Sequence, residues 1–462
     1  MTMLPSREEV RSMWSLAAPI MLMQLGMMAY GVVDTLYMGR IGPTEVGGVG
    51  LGGSTFFAMM LFGLGCLLGV DTLSSRAFGA GRPKESAAIF VHAITIAAVI
   101  SVPLFWCVRF AAPFYAAVGV DRAVAAVALE YLNTLRWMAL PFLLFAACRQ
   151  YLQSIDVTRP LLASIVTGNL CNVVLNYGLI FGHWGLPRLG ITGCALASVV
   201  NSAVMTAIAG SAALSRMRAA GFVFRGFHRP LAAALLALGV PAGLQMLVEV
   251  SMFSLASTFM GRFGPVPMAA HQITMNLVSV TFMIPLGISF AAAVRVGQGV
   301  GKNDAEAAVR SGRTALFMGV GFMSFSAVLF WTLPGFFIGL YTGDPEVIGL
   351  GASMLFIGGL FQIFDGMQIV LNGAIRGLGE TRVQLWAHLA GFGVVGLPLG
   401  IWLAFRGGFG PIGLWVGLLA GLTLTGVGLF FVWRGLGRRY LTMSRSSTSN
   451  TSVDFGGMEP RP

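Results

Sequence analysis

Twelve apolar stretches, each near or above the length needed to span a bilayer, divide this chain and leave it few architectures. They run approximately from Leu16 to Gly39, Val46 to Leu73, Ala87 to Val108, Val124 to Gln150, Pro160 to Gly182 and Leu189 to Leu214. After a basic connector come Leu231 to Met260, Met268 to Val294, Thr314 to Leu340, Val347 to Ile375, Val383 to Phe405 and Pro411 to Trp433. Apolar residues make up 56% of the chain and charged residues 10%, against about a quarter charged in a soluble domain. No water-soluble core hides that much apolar surface. The reading is an all-α integral membrane protein of 12 spans.

The spans fall into two sets of six. Met38-Gly39-Arg40-Ile41-Gly42-Pro43 returns as Met260-Gly261-Arg262-Phe263-Gly264-Pro265, 222 residues later, and Pro19 and Pro241 share that offset. Gly79-Ala80-Gly81-Arg82-Pro83-Lys84 echoes in Gly299-Val300-Gly301-Lys302-Asn303-Asp304 at an offset of 220. Tandem halves with a path between them are a common transporter plan. Residues 1–215 are expected to form the first lobe, 216–230 a linker and 231–437 the second lobe. Residues 438–462 are expected to be a disordered tail, Ser/Thr/Gly-rich from Ser444. Its Asn450-Thr451-Ser452 matches a glycosylation sequon, on the wrong side of the membrane to be used.

Positive charge sets the orientation. With the N-terminus inside, 22 of the 29 Lys and Arg fall on the inner side, six on the outer side, and Arg136 lies within the fourth span. Both termini are therefore expected in the cytoplasm. The net charge of +11 is explained by lipid-facing loops, without nucleic acid. The N-terminal stretch begins like a signal peptide but continues through Asp34 and recurs at the seventh span, so it reads as a retained helix. The five cysteines lie in or beside apolar runs, with no CxxC motif or disulfide framework.

Three acids lie well inside spans: Asp34, Glu249 and Asp365. Inserting such a carboxylate near the bilayer centre costs about 3 kcal/mol, which points to a proton or cation site or to a carboxyl satisfied by a neighbouring helix. Asp34 and Glu249 each lie about 27 Å along their helices from the cytoplasmic end. Asn169, Asn172 and Asn176 form one polar stripe in the fifth span, with Asn172 and Asn176 near the level of Asp34. Asp365 facing Glu249 would make a paired-carboxylate site able to hold a proton or Na⁺. Arg136 is a candidate counter-charge to Asp34 or Glu130. His271 and His388 have no neighbours at metal-ligand spacing, and no GxSxG, HExxH or phosphate-loop motif is present, so no enzyme is read.

The chain resembles the multidrug and toxic compound extrusion (MATE) transporters, specifically their NorM-type branch. The resemblance covers roughly Leu16 to Trp433. It rests on Val33-Asp34-Thr35, Ala269-Ala270-His271-Gln272, Arg295-Val296-Gly297-Gln298 and Asn372-Gly373-Ala374-Ile375-Arg376-Gly377-Leu378-Gly379-Glu380-Thr381-Arg382. Arg149 and Thr158-Arg159-Pro160 form a weaker first-half counterpart. The resemblance implies two six-helix lobes in a V, related by a pseudo-two-fold, around a cavity that faces each side alternately. It implies Asp34 as the first-lobe acid, Asn172 and Asn176 as its amide partners, and Tyr30 one turn earlier. Glu249 and Asp365 correspond to second-lobe cation-site acids, and their joint presence favours the NorM-type over the DinF-type branch. In some first-lobe-coupled relatives a second acid stands where this chain has Asn176. An aromatic hydroxyl is expected one turn before Asp365, where Phe361 stands.

The expected function is Na⁺- or H⁺-coupled export of cationic amphipathic compounds by a monomer in a bacterial inner membrane. No cofactor beyond the coupling ion is expected, and the partners are small molecules and lipid. The alternative is a flippase for lipid-linked oligosaccharides, which would line its cavity with several cations; Arg136 is the only clear mid-span candidate. The repeat does not extend to the acids, since Asp34 falls on Ala256 and Glu249 on Met27.

Overall fold

In the computed structural model, residues 5–224 and 226–449 are described, and the regular elements among them are helices. Twelve are long and apolar enough to cross a membrane. In the first half these are α1 (Arg7–Met38), α2 (Thr44–Gly79), α3 (Pro83–Val118), α4 (Arg122–Ser154), α5 (Arg159–Phe181) and α6 (Gly190–Ala219). In the second they are α7 (Arg229–Phe263), α8 (Pro265–Gly301), α9 (Ala305–Thr332), α10 (Pro345–Gly377), α11 (Arg382–Phe405) and α12 (Pro411–Thr442).

Several helices outrun their apolar windows because polar end groups complete them. At the start of α1, Ser6 and Glu9 form a reciprocal capping box, so the helix begins nine residues before Leu16. The final helix continues to Ser449, into the segment read as a disordered tail. The Tyr440 hydroxyl donates to the Leu378 carbonyl at 3.2 Å and docks the start of this extension. Residues 450–462, with the Asn450 sequon, lie outside the described residues. The connector between halves is shorter than read, since α6 ends at Ala219 and α7 begins at Arg229. It is pinned to α3, where the His228 amide donates to His92 Nε2 at 2.8 Å.

The repeat is visible as packing. Within the lobes, α2 packs on α4 as α8 packs on α10; between them, α1 packs on α8 as α7 packs on α2. Backbone conformation repeats with the sequence. Gly81 (φ +72°) matches Asn303 (φ +56°) at an offset of 222, so this echo sits at 222 and not at the 220 read from the sequence, and Asp156 (φ +61°) matches Gly379 (φ +75°) at 223. Asn and Asp tolerate the left-handed region better than other side chains, which is how these turns persist without glycine in both copies.

The seam between lobes is built from small residues in reciprocal pairs. Gly79 abuts the Gln298 backbone, and its mate Gly301 abuts the Arg76 backbone. Gly65 abuts Gly243, and Gly287 abuts Met21, the same pair under the 222 offset. Ser75 meets Gly297, which is its own repeat mate, so the pseudo-two-fold axis passes between them. Close backbone approach of this kind is how membrane helices associate in the absence of a hydrophobic drive between them.

Among the described residues, every hydrogen bond and ion pair between the six-helix lobes lies at one end of the molecule. Glu9 pairs with Arg310 at 3.1 Å and Asp156 with Arg295 at 3.6 Å. Thr72 donates to the Arg376 carbonyl at 2.8 Å, and Gln298 to the Ser154 carbonyl at 3.1 Å. This is the arginine-rich end that charge bias assigns to the cytoplasm.

Candidate functional site

Three polar assemblies interrupt the apolar interior. The first is centred on Asp34, which is buried in α1. Asn176 Nδ2 donates to one carboxylate oxygen at 2.7 Å, and Ser198 Oγ donates to the other at 2.9 Å. Asn172 Oδ1 accepts from Asn176 at 3.2 Å, while Asn169 turns away to the Gly26 carbonyl. The Asn172/Asn176 stripe therefore meets Asp34 as read. Tyr30 does not join by hydrogen bond to it: its hydroxyl lies 3.8 Å from Met138 Sδ. Ser198 escaped the sequence reading. The signal was Ser198, Asn201 and Ser202 at helical spacing in α6, the same kind of stripe as in α5.

The second assembly spans α7, α10 and α11. Glu249 accepts from Gln368 Nε2 on one oxygen and Gln245 Nε2 on the other, both at 2.7 Å. Gln368 also reaches Asp365 at 3.4 Å, so the two acids share an amide bridge. His388, read as lacking ligand-like neighbours, lies with Nε2 3.6 Å from Glu249 and 3.0 Å from Gln245 Nε2. Its Nδ1 faces the Gln384 carbonyl at 2.8 Å and must donate there, which leaves Nε2 as the acceptor in the neutral ring. The buried oxygens Gln368 Oε1, Asn372 Oδ1 and Gln384 Oε1 have no hydrogen-bond partner among the described residues. Phe361, where an aromatic hydroxyl was expected, packs edge-on against Phe253 and Trp415.

Two expectations fail. Arg136 counters neither Asp34 nor Glu130: its guanidinium lies over the Phe105 ring at 4.9 Å, and Glu130 accepts from Thr192. A cation on an aromatic face needs no carboxylate nearby. Arg136 is also not the only cation deep in the molecule. A third assembly, absent from the sequence reading, joins the lobes beneath a cavity. Asp71 of α2 pairs with Arg376 of α10 at 3.9 Å, and Arg149 of α4 lies beside them. Arg149 and Arg376 both stack on Phe290 of α8, at 5.1 and 5.5 Å.

The cavity has a volume of about 340 Å³ and lies between the lobes on the far side of their joint. Tyr30, Phe57, Met138, Phe142, Met205, Met246 and Met283 are among its walls. Flexible thioethers and aromatic faces accept varied apolar shapes.

Tandem lobes meeting at one end, an apolar cavity between them and a separate buried carboxylate network in each lobe define a two-lobe membrane carrier. The chain belongs to the multidrug and toxic compound extrusion family, matching MatE over residues 19–178 and 241–402. It is 37% identical to the multidrug resistance protein NorM of Burkholderia vietnamiensis, over 91% of this chain and 92% of the relative. A crystal structure of MATE in the bent conformation shares the fold with TM-score 0.86 at 16% identity, covering 96% of this chain and 100% of that one. The eukaryotic MATE transporter AtDTX14 shares it with TM-score 0.84 at 20% identity, covering 95% and 99%.

Proposed function

We propose that this protein exports amphipathic small molecules across a bacterial plasma membrane, as a monomer with both termini inside, by alternating access coupled to entry of Na⁺ or H⁺. The observation that carries the reading is the pair of buried carboxylate networks, one in each lobe, flanking an apolar cavity sealed at the arginine-rich end. The name of the NorM relative supports drugs as cargo. With that end cytoplasmic, the arrangement seen is the outward-facing one.

Each network offers the entering ion a different berth. Asp34 has two donors for two oxygens and sits among neutral side chains, so it takes a proton at small cost in rearrangement. Protonation converts one oxygen to a donor, and the Asn176 amide can turn its Oδ1, now without a partner, to accept. The second lobe suits a hard cation. Glu249 and Asp365 supply charge, and the unpartnered oxygen of Gln368, whose amide bridges them, supplies a neutral ligand of the type Na⁺ uses. Ion loading neutralises carboxylates and so changes which lobe arrangement is cheaper, which is the differential stabilisation that coupling requires.

The flippase reading needs several cations facing the cavity, and among the described residues Arg149 alone of the cations lines it. The deciding experiment is dye efflux from proteoliposomes under an imposed Na⁺ gradient or pH gradient. Export driven by either gradient, and abolished in Asp34→Asn or in Glu249→Gln with unchanged expression, is the expected result. Undiminished export in Asp34→Asn, Glu249→Gln and Asp365→Asn alike would sink the coupling mechanism.

A further inference from the structure

A second cavity, of about 260 Å³, opens where the lobes meet at the arginine-rich end, between the start of α1, the last turns of α8 and the first turns of α9. Its wall holds Glu8 and Glu9 from the first lobe and Arg295 and Arg310 from the second, with the Ser311 and Thr314 hydroxyls beside them. These charges are loosely engaged. Arg310 meets Glu9 through Nε at 3.1 Å and is half exposed. Arg295 lies 3.6 Å from Asp156 and 3.4 Å from both Gln298 Oε1 and the Ser12 carbonyl, all at or beyond the long limit of a hydrogen bond. Its buried Nε has no partner, and Glu8 makes no ion pair, among the described residues. Beyond the cavity the surface turns apolar. On α9, Arg310, Thr314, Phe317, Gly321, Phe325 and Val328 follow at spacings of three and four and so share one face. Phe317, Phe325 and Val328 are each at least half exposed, and on the neighbouring α1 the Glu8, Ser12, Ser15, Pro19 face runs down to exposed Leu22.

A charged pocket heading an apolar track open to the bilayer has the shape of a phospholipid site, since a soluble ligand has no use for the track. Charge selects the head group. A purely anionic one meets Glu8 and Glu9, and a bare cation meets two arginines, whereas a zwitterion satisfies both sets. We infer that this cavity binds a phospholipid whose head group carries a phosphate and a primary ammonium, the phosphoethanolamine class. Its phosphate takes the guanidinium forks of Arg295 and Arg310, and its ammonium donates to Glu8 and Glu9. A quaternary choline has no N–H to donate and loses the second half of the contact. The depth order agrees: Arg310 and Arg295 lie about 7 to 9 Å inside their helix ends, while Glu8 is the second residue of α1. In a bilayer the phosphate likewise lies nearer the hydrocarbon than the ammonium. Because the four side chains come from both lobes, bound lipid braces the joint and favours the arrangement closed at this end. The site requires a membrane-embedded chain, and neither drug cargo nor ion coupling.

The test is native mass spectrometry of the delipidated full-length protein, offered an equimolar mixture of phosphatidylethanolamine, phosphatidylcholine and phosphatidylglycerol with matched acyl chains. The ethanolamine lipid should be retained about tenfold over either competitor. Arg310→Gln should lower its retention about fivefold, and Glu8→Lys, on an exposed first turn, should swing the preference to phosphatidylglycerol. Equal retention of the three lipids by the wild-type protein overturns the site, and this measurement needs no variant to fold. A preference unchanged in monodisperse Arg310→Gln or Glu8→Lys overturns it as well. Soluble O-phosphoethanolamine separates head group from lipid: it should fail to displace the bound lipid at equal concentration, and displacement there would overturn the lipid as occupant.

Discussion

The two lobes share a scaffold and differ in chemistry. In the first, one acid is held by two neutral donors, Asn176 and Ser198, from adjacent helices. In the second, two acids, two glutamines and a histidine are linked across three helices. The difference follows from where symmetry acts. A residue at the seam faces its own repeat mate, or its mate makes the same contact with its partner's mate, so both copies share one interface as at an isologous contact. Asp34 and Glu249 lie away from the seam contacts and meet no symmetry mate, so nothing kept their surroundings alike.

The sharpest way to break the comparison is to remove the acids singly. Asp34→Asn should lower drug export about tenfold or more under every gradient, measured as initial efflux rate in proteoliposomes. Glu249→Gln should cost a similar factor under a Na⁺ gradient, with loss of Na⁺-dependent protection in thermal unfolding. Equal loss of Na⁺ protection in Asp34→Asn would erase the proposed division of labour. Next in size is His388→Ala, which removes the ring nitrogen beside Gln245 and Glu249 and leaves a void at the network's edge. It should lower stability by about 1–3 kcal/mol, read as a fall in Tm, while Na⁺-driven export falls more than export under a pH gradient. Ser198→Ala removes one hydrogen bond to a charged oxygen and should cost about 1.5–3 kcal/mol if Asp34 stays ionised, and less if it is neutral. Arg136→Ala should be the mildest, changing export less than about twofold, since its guanidinium touches an aromatic face and no acid.

How much of this was legible before the structure depends on whether the cause was local. The spans and the repeat follow from the length of apolar runs and from echoes in order, both properties of the linear chain. Asp34 with Asn172 and Asn176 was legible because helical spacing puts the amides on one face. Glu249 and Asp365 were legible as expensive charges, but the Gln368 bridge and the His388 contact depend on how α7, α10 and α11 pack. His388 was dismissed on ligand spacing along the chain, while its partner arrives from another helix. Arg136 was a candidate counter-charge to Asp34 or Glu130 because charge is visible in sequence and an aromatic face at 4.9 Å is not. Asp71 lay near the end of its span, where an acid looks ordinary, and only the approach of Arg376 from the other lobe shows what it faces.

The glycine seam has a mechanical consequence. Backbone pressed against backbone, at Gly79 with Gln298 and Gly65 with Gly243, has few side chains that interlock. Surfaces of interdigitated side chains resist sliding because each step must pass through strained rotamers. A smooth contact of this kind works as a bearing: it bears compression between the two lobes yet offers little friction when one rocks over the other. The resistance to motion then comes from the few ion pairs and hydrogen bonds around it, which can release one at a time.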